Sequence, residues 1–406
     1  MIIFTAIRHS IDPNFYYGNL WTNNFYPALQ QLGHEIVESQ VDLISASRFM
    51  QIPSNFTQEE QKIRDTITQK IVDEVCQEHK QKHIDIFLSY FYNAHFNPEG
   101  FEEIHRLGIT TVNFYCNSTY QFELVAEIAA KVNVSWHPEK GARSVYLKVG
   151  ANPVWVQLGA DPELYHPVSG ITRQTKACFV GQRYADRDRY LAQLMANQVP
   201  VDIYGSGWVS QEVHPQLRRT LHKYEDLVSL GRLSPKPGSL MSYTLVIWQN
   251  LKQQGIVAGI YRTLSQLHYR HHSHQLVSLL ASAYCGFAEN MSHTFAQYEV
   301  VLNFSNVWAD GRPGSTLIPH VRLRDFEAPM CRTCYLTGYT DEIAEFYELG
   351  KEIDTYRSSD ELVDKTKFYL SHPSQADQLR EAGYQRARCD HTWRKRFEQL
   401  LRQISL

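Results

Sequence analysis

Along the first 160 residues the apolar positions alternate between two periods. Residues 2–7 form a short apolar run and residues 20–32 repeat at helical spacing. Residues 34–39 return to a strand-like pattern, and residues 57–82 set Ile63, Ile67, Ile71 and Val75 four apart on one helical face. Residues 84–90 then predict a buried strand, 98–107 a helix with Pro98 in its first turn, and 109–115 another strand. Helices over 119–130 and 139–149 and strands over 132–136 and 154–158 complete the half. Strand and helix in series predict a parallel sheet with helices on both faces.

The alternation pauses at Gly159-Ala-Asp-Pro-Glu-Leu-Tyr-His-Pro167 and restarts with a strand at 176–180, a helix at 187–196 and a strand at 201–204. Residues 232–290 are atypical: Pro235, Pro237, an apolar run at 245–248 and the run Leu267-His-Tyr-Arg-His-His-Ser-His274 fit neither period well. Order returns with a strand at 300–304, a helix near 325–331, a strand at 334–337, and helices over 359–371, 373–387 and 391–404. The expected division is therefore a first domain at 1–160, a linker at 161–167, a second domain at 168–388 and a terminal helical segment at 389–406. Two such α/β halves put ligands at the carboxyl ends of their strands, in a cleft.

Composition narrows the class. With 406 residues, 43% of them apolar and 20% charged, the chain is long enough for two cores and too apolar for disorder. A net charge of −3 gives no global reason to expect nucleic acid as a partner. Seven cysteines without framework spacing read as reduced thiols, which places the protein in the cytoplasm. The first residues read as a strand and not as a secretory leader, and the longest mostly apolar stretch, 276–288, is too short to span a bilayer. Peripheral membrane contact or homo-oligomer formation is expected, if anywhere, through 232–290.

Two windows carry chemistry. Phe179-Val-Gly-Gln-Arg-Tyr-Ala-Asp-Arg-Asp-Arg189 sets Gly181 at a strand end and three arginines around a helix start, a pattern suited to a diphosphate and equally to an ordinary turn. The run Asp310 to Gly338 joins a loop of glycine and small residues to Arg322, Arg324 and Glu327 at a short helix. This is an anion site with a carboxylate close by, or a salt-bridged surface helix.

Several words of the sequence, taken together, resemble the CgeB-type (spore maturation protein type) glycosyltransferases, near glycosyltransferase family four. They are Val-Leu-Asn-Phe304, Arg322-Leu-Arg-Asp-Phe-Glu-Ala-Pro329, Leu336-Thr-Gly-Tyr339, Tyr347-Glu-Leu-Gly-Lys-Glu-Ile353, Tyr369-Leu-Ser-His-Pro373, Ala382-Gly383 and His391-Thr-Trp393. Phe-Val-Gly181 to Gly207-Trp208 and Gly159-Ala-Asp-Pro162 extend the similarity to most of the chain outside 232–290. The resemblance implies an α/β GT-B fold, two Rossmann-like doubly wound parallel-sheet domains facing across a cleft. It further implies a nucleoside-diphosphate-sugar donor held by the second domain, an acceptor met by the first, and a last helix crossing back. It gives Glu327 to the ribose, Arg322 and Arg324 to the diphosphate region, and Arg183 a reach into the same site. Many family-four enzymes carry a further glutamate, seven residues intervening; that position here is Pro319, with His320 beside it as a donor-side candidate. Relatives also carry a glycine where this chain has Arg332, and an acidic pair after the strand that here ends Asn113-Phe-Tyr-Cys-Asn-Ser118.

The expected reaction is glycosyl transfer to a hydroxyl of a glycan, lipid or protein acceptor. Arginines would stabilise the leaving diphosphate, so no divalent metal is obligatory and no cofactor is tightly bound. Catalytic candidates lie in loops after the first strands: His95, inside the aromatic loop Tyr90-Phe-Tyr-Asn-Ala-His-Phe96, and Asp12, with His9 and Glu123 nearby in kind. Gly18 is a candidate for close approach to donor phosphates. The alternatives are a nucleotide-binding scaffold that has lost transfer, and a nucleotide-sugar epimerase. The histidine run at 268–274 and the pair Cys331, Cys334 read as a helix face and core thiols, not as metal or redox sites.

Overall fold

A computed structural model describes residues 1–9, 20–209, 247, 256–311 and 313–404. Among these residues the chain divides into two compact units, one holding the described residues of 1–158 and 393–404, the other those of 159–209 and 247–392. Asp12 and Gly18 lie outside the described residues.

The first unit runs β1 (Ile2–Ala6), α1 (Leu20–Gln31), β2 (Glu35–Glu38), α2 (Gln58–Gln81), β3 (Ile86–Ser89), α3 (Gly100–Arg106), β4 (Thr110–Phe114), α4 (Ser118–Gln121), α5 (Ala126–Lys131), β5 (Val134–His137), α6 (Arg143–Lys148) and β6 (Pro153–Trp155). Its strands form one six-stranded sheet in the order β2-β1-β3-β4-β5-β6, every pairing parallel. β3 and β5 are buried along their whole length, which is why they read as continuous runs instead of alternating patterns. α2 starts where Thr57 accepts from the Glu60 N–H and Glu60 returns a bond to the Thr57 N–H, a reciprocal cap. The long helix expected over 119–130 is broken instead into short turns.

The second unit runs β7 (Gln174–Val180), α7 (Arg187–Ala196), β8 (Val201–Tyr204), α8 (Ile256–Gln275), α9 (Val277–Ala281), α10 (Met291–Ala296), β9 (Tyr298–Asn303), β10 (Asn306–Trp308), β11 (Leu317–Pro319), α11 (Arg324–Met330), β12 (Tyr335–Gly338), β13 (Asp354–Tyr356), α12 (Ser359–Ser371) and α13 (Pro373–Asp390). Its parallel sheet has the order β13-β12-β9-β7-β8, while β10 and β11 stand apart as an antiparallel hairpin. The stretch expected as a linker is packed into this unit: Asp161 and Tyr165 are buried, and Ser292 Oγ donates to the Leu164 carbonyl at 2.9 Å. α8 falls in the stretch that the sequence left irregular. No helix among the described residues is long and apolar enough to cross a membrane.

The last helix, α14 (Trp393–Gln403), begins after a break at His391 and Thr392 instead of continuing from 389. It belongs to the first unit, where Trp393 Nε1 donates to Asn24 Oδ1 at 2.9 Å and Phe397 meets Phe25 edge-on at 5.2 Å.

Gly383, on the buried face of α13, has no room for a side chain, because a Cβ there would overlap the Glu352 carbonyl. Gly383→Ala is expected to destabilise the second unit by about 1–3 kcal/mol, the usual cost of overpacking. Urea unfolding of the variant against the wild type measures it.

Candidate active site

In each sheet the strand order reverses beside the first strand of the unit, so the loops on either side of the reversal part and leave a crevice at the strands' carboxyl ends. In the second unit the reversal lies between β7 and β9, in the first between β1 and β3. The site residues gather at these two places.

At the β7/β9 reversal, two guanidinium groups come together. Arg187 opens α7, donates Nη1–H to the Gln182 carbonyl at 2.8 Å, and lies over the Phe179 and Tyr184 rings. Arg322 donates Nη2–H to the Asn306 carbonyl at 3.3 Å. Among the described residues, the Nε of each arginine is buried with no hydrogen-bond partner. Burial first, and then the positive charge of Arg322, push the Arg187 pKa down to about 9. His320 feels the same field: burial and Arg322 lower its pKa to about 3, so it is neutral. Two like charges held close with unused donors describe a site for an anion.

Asp325 builds this arrangement. Its Oδ2 accepts from the Arg322 N–H at 2.7 Å, while Oδ1 accepts from Tyr335, Thr337 and Asn303, drawing on β9, β12 and α11 at once. The Tyr347 hydroxyl donates to its carbonyl at 2.8 Å. Burial raises the carboxyl pKa of Asp325, against the pull of these bonds. Glu327, two residues on, is buried and accepts from Arg324 Nη1 at 2.8 Å, and that guanidinium lies over the Phe295 ring.

The other donor-side candidates stand differently from the sequence expectation. Arg183 is a clamp: it donates to Asp188 at 3.0 Å and to the Ser273 Oγ at 2.8 Å and carbonyl, fastening α8 to the β7–α7 turn. Asp188, five residues along, has captured the guanidinium expected at the diphosphate. Gly181 spends its N–H on the Tyr204 carbonyl and its carbonyl on Trp208 Nε1, so neither group is left for a phosphate. Its contribution is space, since a Cβ there would lie 2.7 Å from the Phe179 ring and 3.3 Å from Arg187 Nη1.

At the β1/β3 reversal, His95 is wholly buried and both ring nitrogens are engaged. The Tyr92 N–H donates to Nδ1 at 3.2 Å, which leaves the proton on Nε2, directed at Ser47 Oγ at 3.0 Å. With Nδ1 accepting and Nε2 protonated, the His95 ring has no free lone pair for the base role expected of it. His9 is the histidine with a lone pair. Its Nε2–H donates to the Tyr90 carbonyl at 2.7 Å, no described residue bonds Nδ1, and the ring stacks on Tyr90 and meets His95 edge-on at 4.3 Å. Burial lowers its pKa to about 4, against the raising effect of the Tyr90 carbonyl. The Tyr90 and Tyr92 hydroxyls, 3.1 Å apart, complete a rigid aromatic wall.

Cys331 and Cys334 are buried free thiols, both shifted up by burial. Among the described residues no cluster of three or more His, Cys, Asp or Glu is placed to hold a metal ion. Arg332 keeps the left-handed backbone, φ 59°, that a glycine adopts at that turn, and spends its side chain on Glu381.

Residues 262–402 match the model of the Glycosyl transferase-like family. No curated protein sequence matches the chain. Anabaena HepE, solved with UDP and glucose, aligns at 12% identity and a TM-score of 0.55 over 100% of this chain and 99% of its own. Sucrose-phosphate synthase from Thermosynechococcus elongatus aligns at 12% identity and 0.54, covering 99% and 98%. AviGT4, a glycosyltransferase involved in avilamycin A biosynthesis, aligns at 12% and 0.54, covering 99% and 96%. At such identities the structures show a shared fold, and that fold is GT-B. The family match adds the class over residues 262–402, a glycosyl transferase-like domain set in a GT-B fold.

Proposed function

We propose that this enzyme, of the CgeB type, transfers the sugar of a UDP-sugar to a hydroxyl of a glycan acceptor. The observation that carries the donor assignment is the pair Arg187 and Arg322, each with a buried, unpartnered Nε. A diphosphate supplies the oxygens both forks lack, and the charge that develops on the leaving UDP strengthens those bonds in the transition state. Uridine is favoured because the neighbour HepE was solved with UDP and with UDP-glucose. The words quoted from the sequence support the CgeB-type assignment.

Glu327 takes the ribose hydroxyls, with Arg324 fixing its carboxylate. On the acceptor side, Nδ1 of His9 accepts the proton of the attacking hydroxyl. The acceptor oxygen bonds to the anomeric carbon, the bond from that carbon to the diphosphate breaks, and UDP leaves with the electron pair. His95 and the Tyr90 carbonyl hold the His9 ring in the tautomer that keeps Nδ1 unprotonated.

Glu327→Ala is expected to weaken UDP binding by about 10- to 100-fold, the loss of a charge-assisted hydrogen-bond acceptor. It should weaken 2′-deoxy-UDP much less. Calorimetric titration of both nucleotides reads the difference, and equal losses for the two would remove the ribose assignment.

A further inference from the structure

Beside the arginine pair, and wholly within the second unit, lies a cavity of about 500 Å³ lined by residues of α8, the β7–α7 turn and the β10–β11 hairpin. Its volume is within the range of small-molecule sites, roughly 300–1,000 Å³. Trp308 and Tyr269 meet edge-to-face in its wall, ring centroids 5.0 Å apart at 88°. Asp186 also lines it, is 8% exposed, and gives one carboxylate oxygen to Asn306 Nδ2 at 2.6 Å. The other oxygen of Asp186 is buried with no hydrogen-bond partner among the described residues. Ala185, next to it, is held at φ 57°, a conformation costly for a residue with a Cβ.

The cavity is built into the fold. The hairpin tip is fixed against α8 by Arg262 and Asp310, 2.9 Å apart, and by Gly314, where a Cβ would come within 2.9 Å of the Gln266 nitrogen. Flat aromatic faces, a carboxylate wanting a donor, and Arg189, Ser265, His268 and Ser315 around the cavity make a surface for a ring bearing many hydroxyls.

We propose that this cavity binds a pyranose ring of the acceptor glycan, stacked on Trp308 and donating a ring hydroxyl to Asp186, at a sugar residue away from the reacting hydroxyl. The proposal rests on the glycan-transfer reading above and makes the acceptor an oligosaccharide instead of a lone alcohol.

The test uses the full-length enzyme in three forms: wild type, Asp186→Asn, and Ser265→Trp, which fills the cavity from its rim. Saturation-transfer NMR with maltotriose, cellotriose and N,N′-diacetylchitobiose, with saturating UDP present, is compared with calorimetric titration of UDP and UDP-glucose. The expected result is saturation transfer to at least one oligosaccharide in the wild type and its loss, at least fivefold in signal, in both variants, with both nucleotide affinities unchanged within twofold. Three results overturn the proposal: no oligosaccharide responds in the wild type; the variants weaken UDP-glucose but not UDP, so that the cavity holds the donor's sugar; or they weaken both nucleotides alike. Failure of UDP itself to bind defeats the donor assignment, and the oligosaccharide experiment, run without nucleotide, still decides the cavity.

Discussion

Arg322→Ala is expected to abolish measurable transfer, lowering kcat/KM by at least about 10³-fold, while leaving the unliganded protein no less thermostable than the wild type. The two halves of this expectation come from one observation. Burial and the charge of Arg322 lower the affinity of Arg187 for a proton, and among the described residues neither Nε has a partner. In the absence of donor the pair is therefore a source of repulsion, and removing one member relieves it; with donor present the same charges meet the diphosphate and its growing negative charge. A residue kept for stability shows the opposite signature, with a lowered melting temperature and a proportionate loss of activity. Arg187→Ala should lose donor binding as well, but it also gives up its stacking on Phe179 and Tyr184, so its melting temperature should fall. The double variant should be little worse in donor affinity than either single one, because both arginines grip one group. Differential scanning fluorimetry with and without UDP, together with a UDP-release assay, separates these outcomes.

His9→Gln is expected to cut kcat by about 10²- to 10⁴-fold, the usual worth of a positioned general base, with UDP affinity unchanged within twofold. The side-chain amide of glutamine can still donate to the Tyr90 carbonyl, as His9 Nε2 does, but it brings no basic nitrogen. The pH dependence carries a second signature. Burial holds the His9 pKa at about 4, below the ordinary 6.5, so the wild-type rate should stay level as pH falls through 6.5 and drop only as it approaches 4. The sign follows from the role, since a base works only when unprotonated. A rate that halves near pH 6.5, or a His9→Gln enzyme with wild-type turnover, contradicts the assignment. His95→Ala should also slow transfer, by loosening His9, and it should carry a stability cost, because it empties a buried site and strands the Tyr92 N–H.

Much of the architecture was legible in the sequence because burial on both faces of a parallel sheet writes continuous apolar runs. The long helix α2 likewise repeats Ile67, Ile71 and Val75 on its buried face. The hairpin was not legible: each of its strands is three residues long, and the Gly-Ser-rich loop between them reads as simple turn. α8 was obscured by its exposed apolar residues, Ile260, Tyr261 and Leu264, which blur the distinction between an inner and an outer face. At the site, Arg322, Arg324 and Glu327 stood out because they share one short helix start. The choice among Arg183, Arg187 and Arg189 was beyond linear spacing, since Asp188 and Ser273 decide it and Ser273 lies 90 residues away from Arg183 in sequence. His9 and His95 posed the same difficulty. Which of them keeps a lone pair depends on Ser47, Tyr90 and Tyr92, contacts that only the folded sheet brings together.

The second unit is expected to hold a nucleoside diphosphate through its arginine pair. The most direct measurement is the melting temperature of the wild type and of Arg322→Ala against UDP, GDP, dTDP, ADP, and UMP. A ligand that binds only the folded state stabilises it by about 2.7 kcal/mol at one hundred times its dissociation constant, a shift of several degrees. The predicted result is a clear rise with UDP, a much smaller one with UMP, and no rise with UDP in the variant. A wild type that melts at one temperature in every nucleotide, or a variant that responds to UDP as fully as the wild type, contradicts the claim.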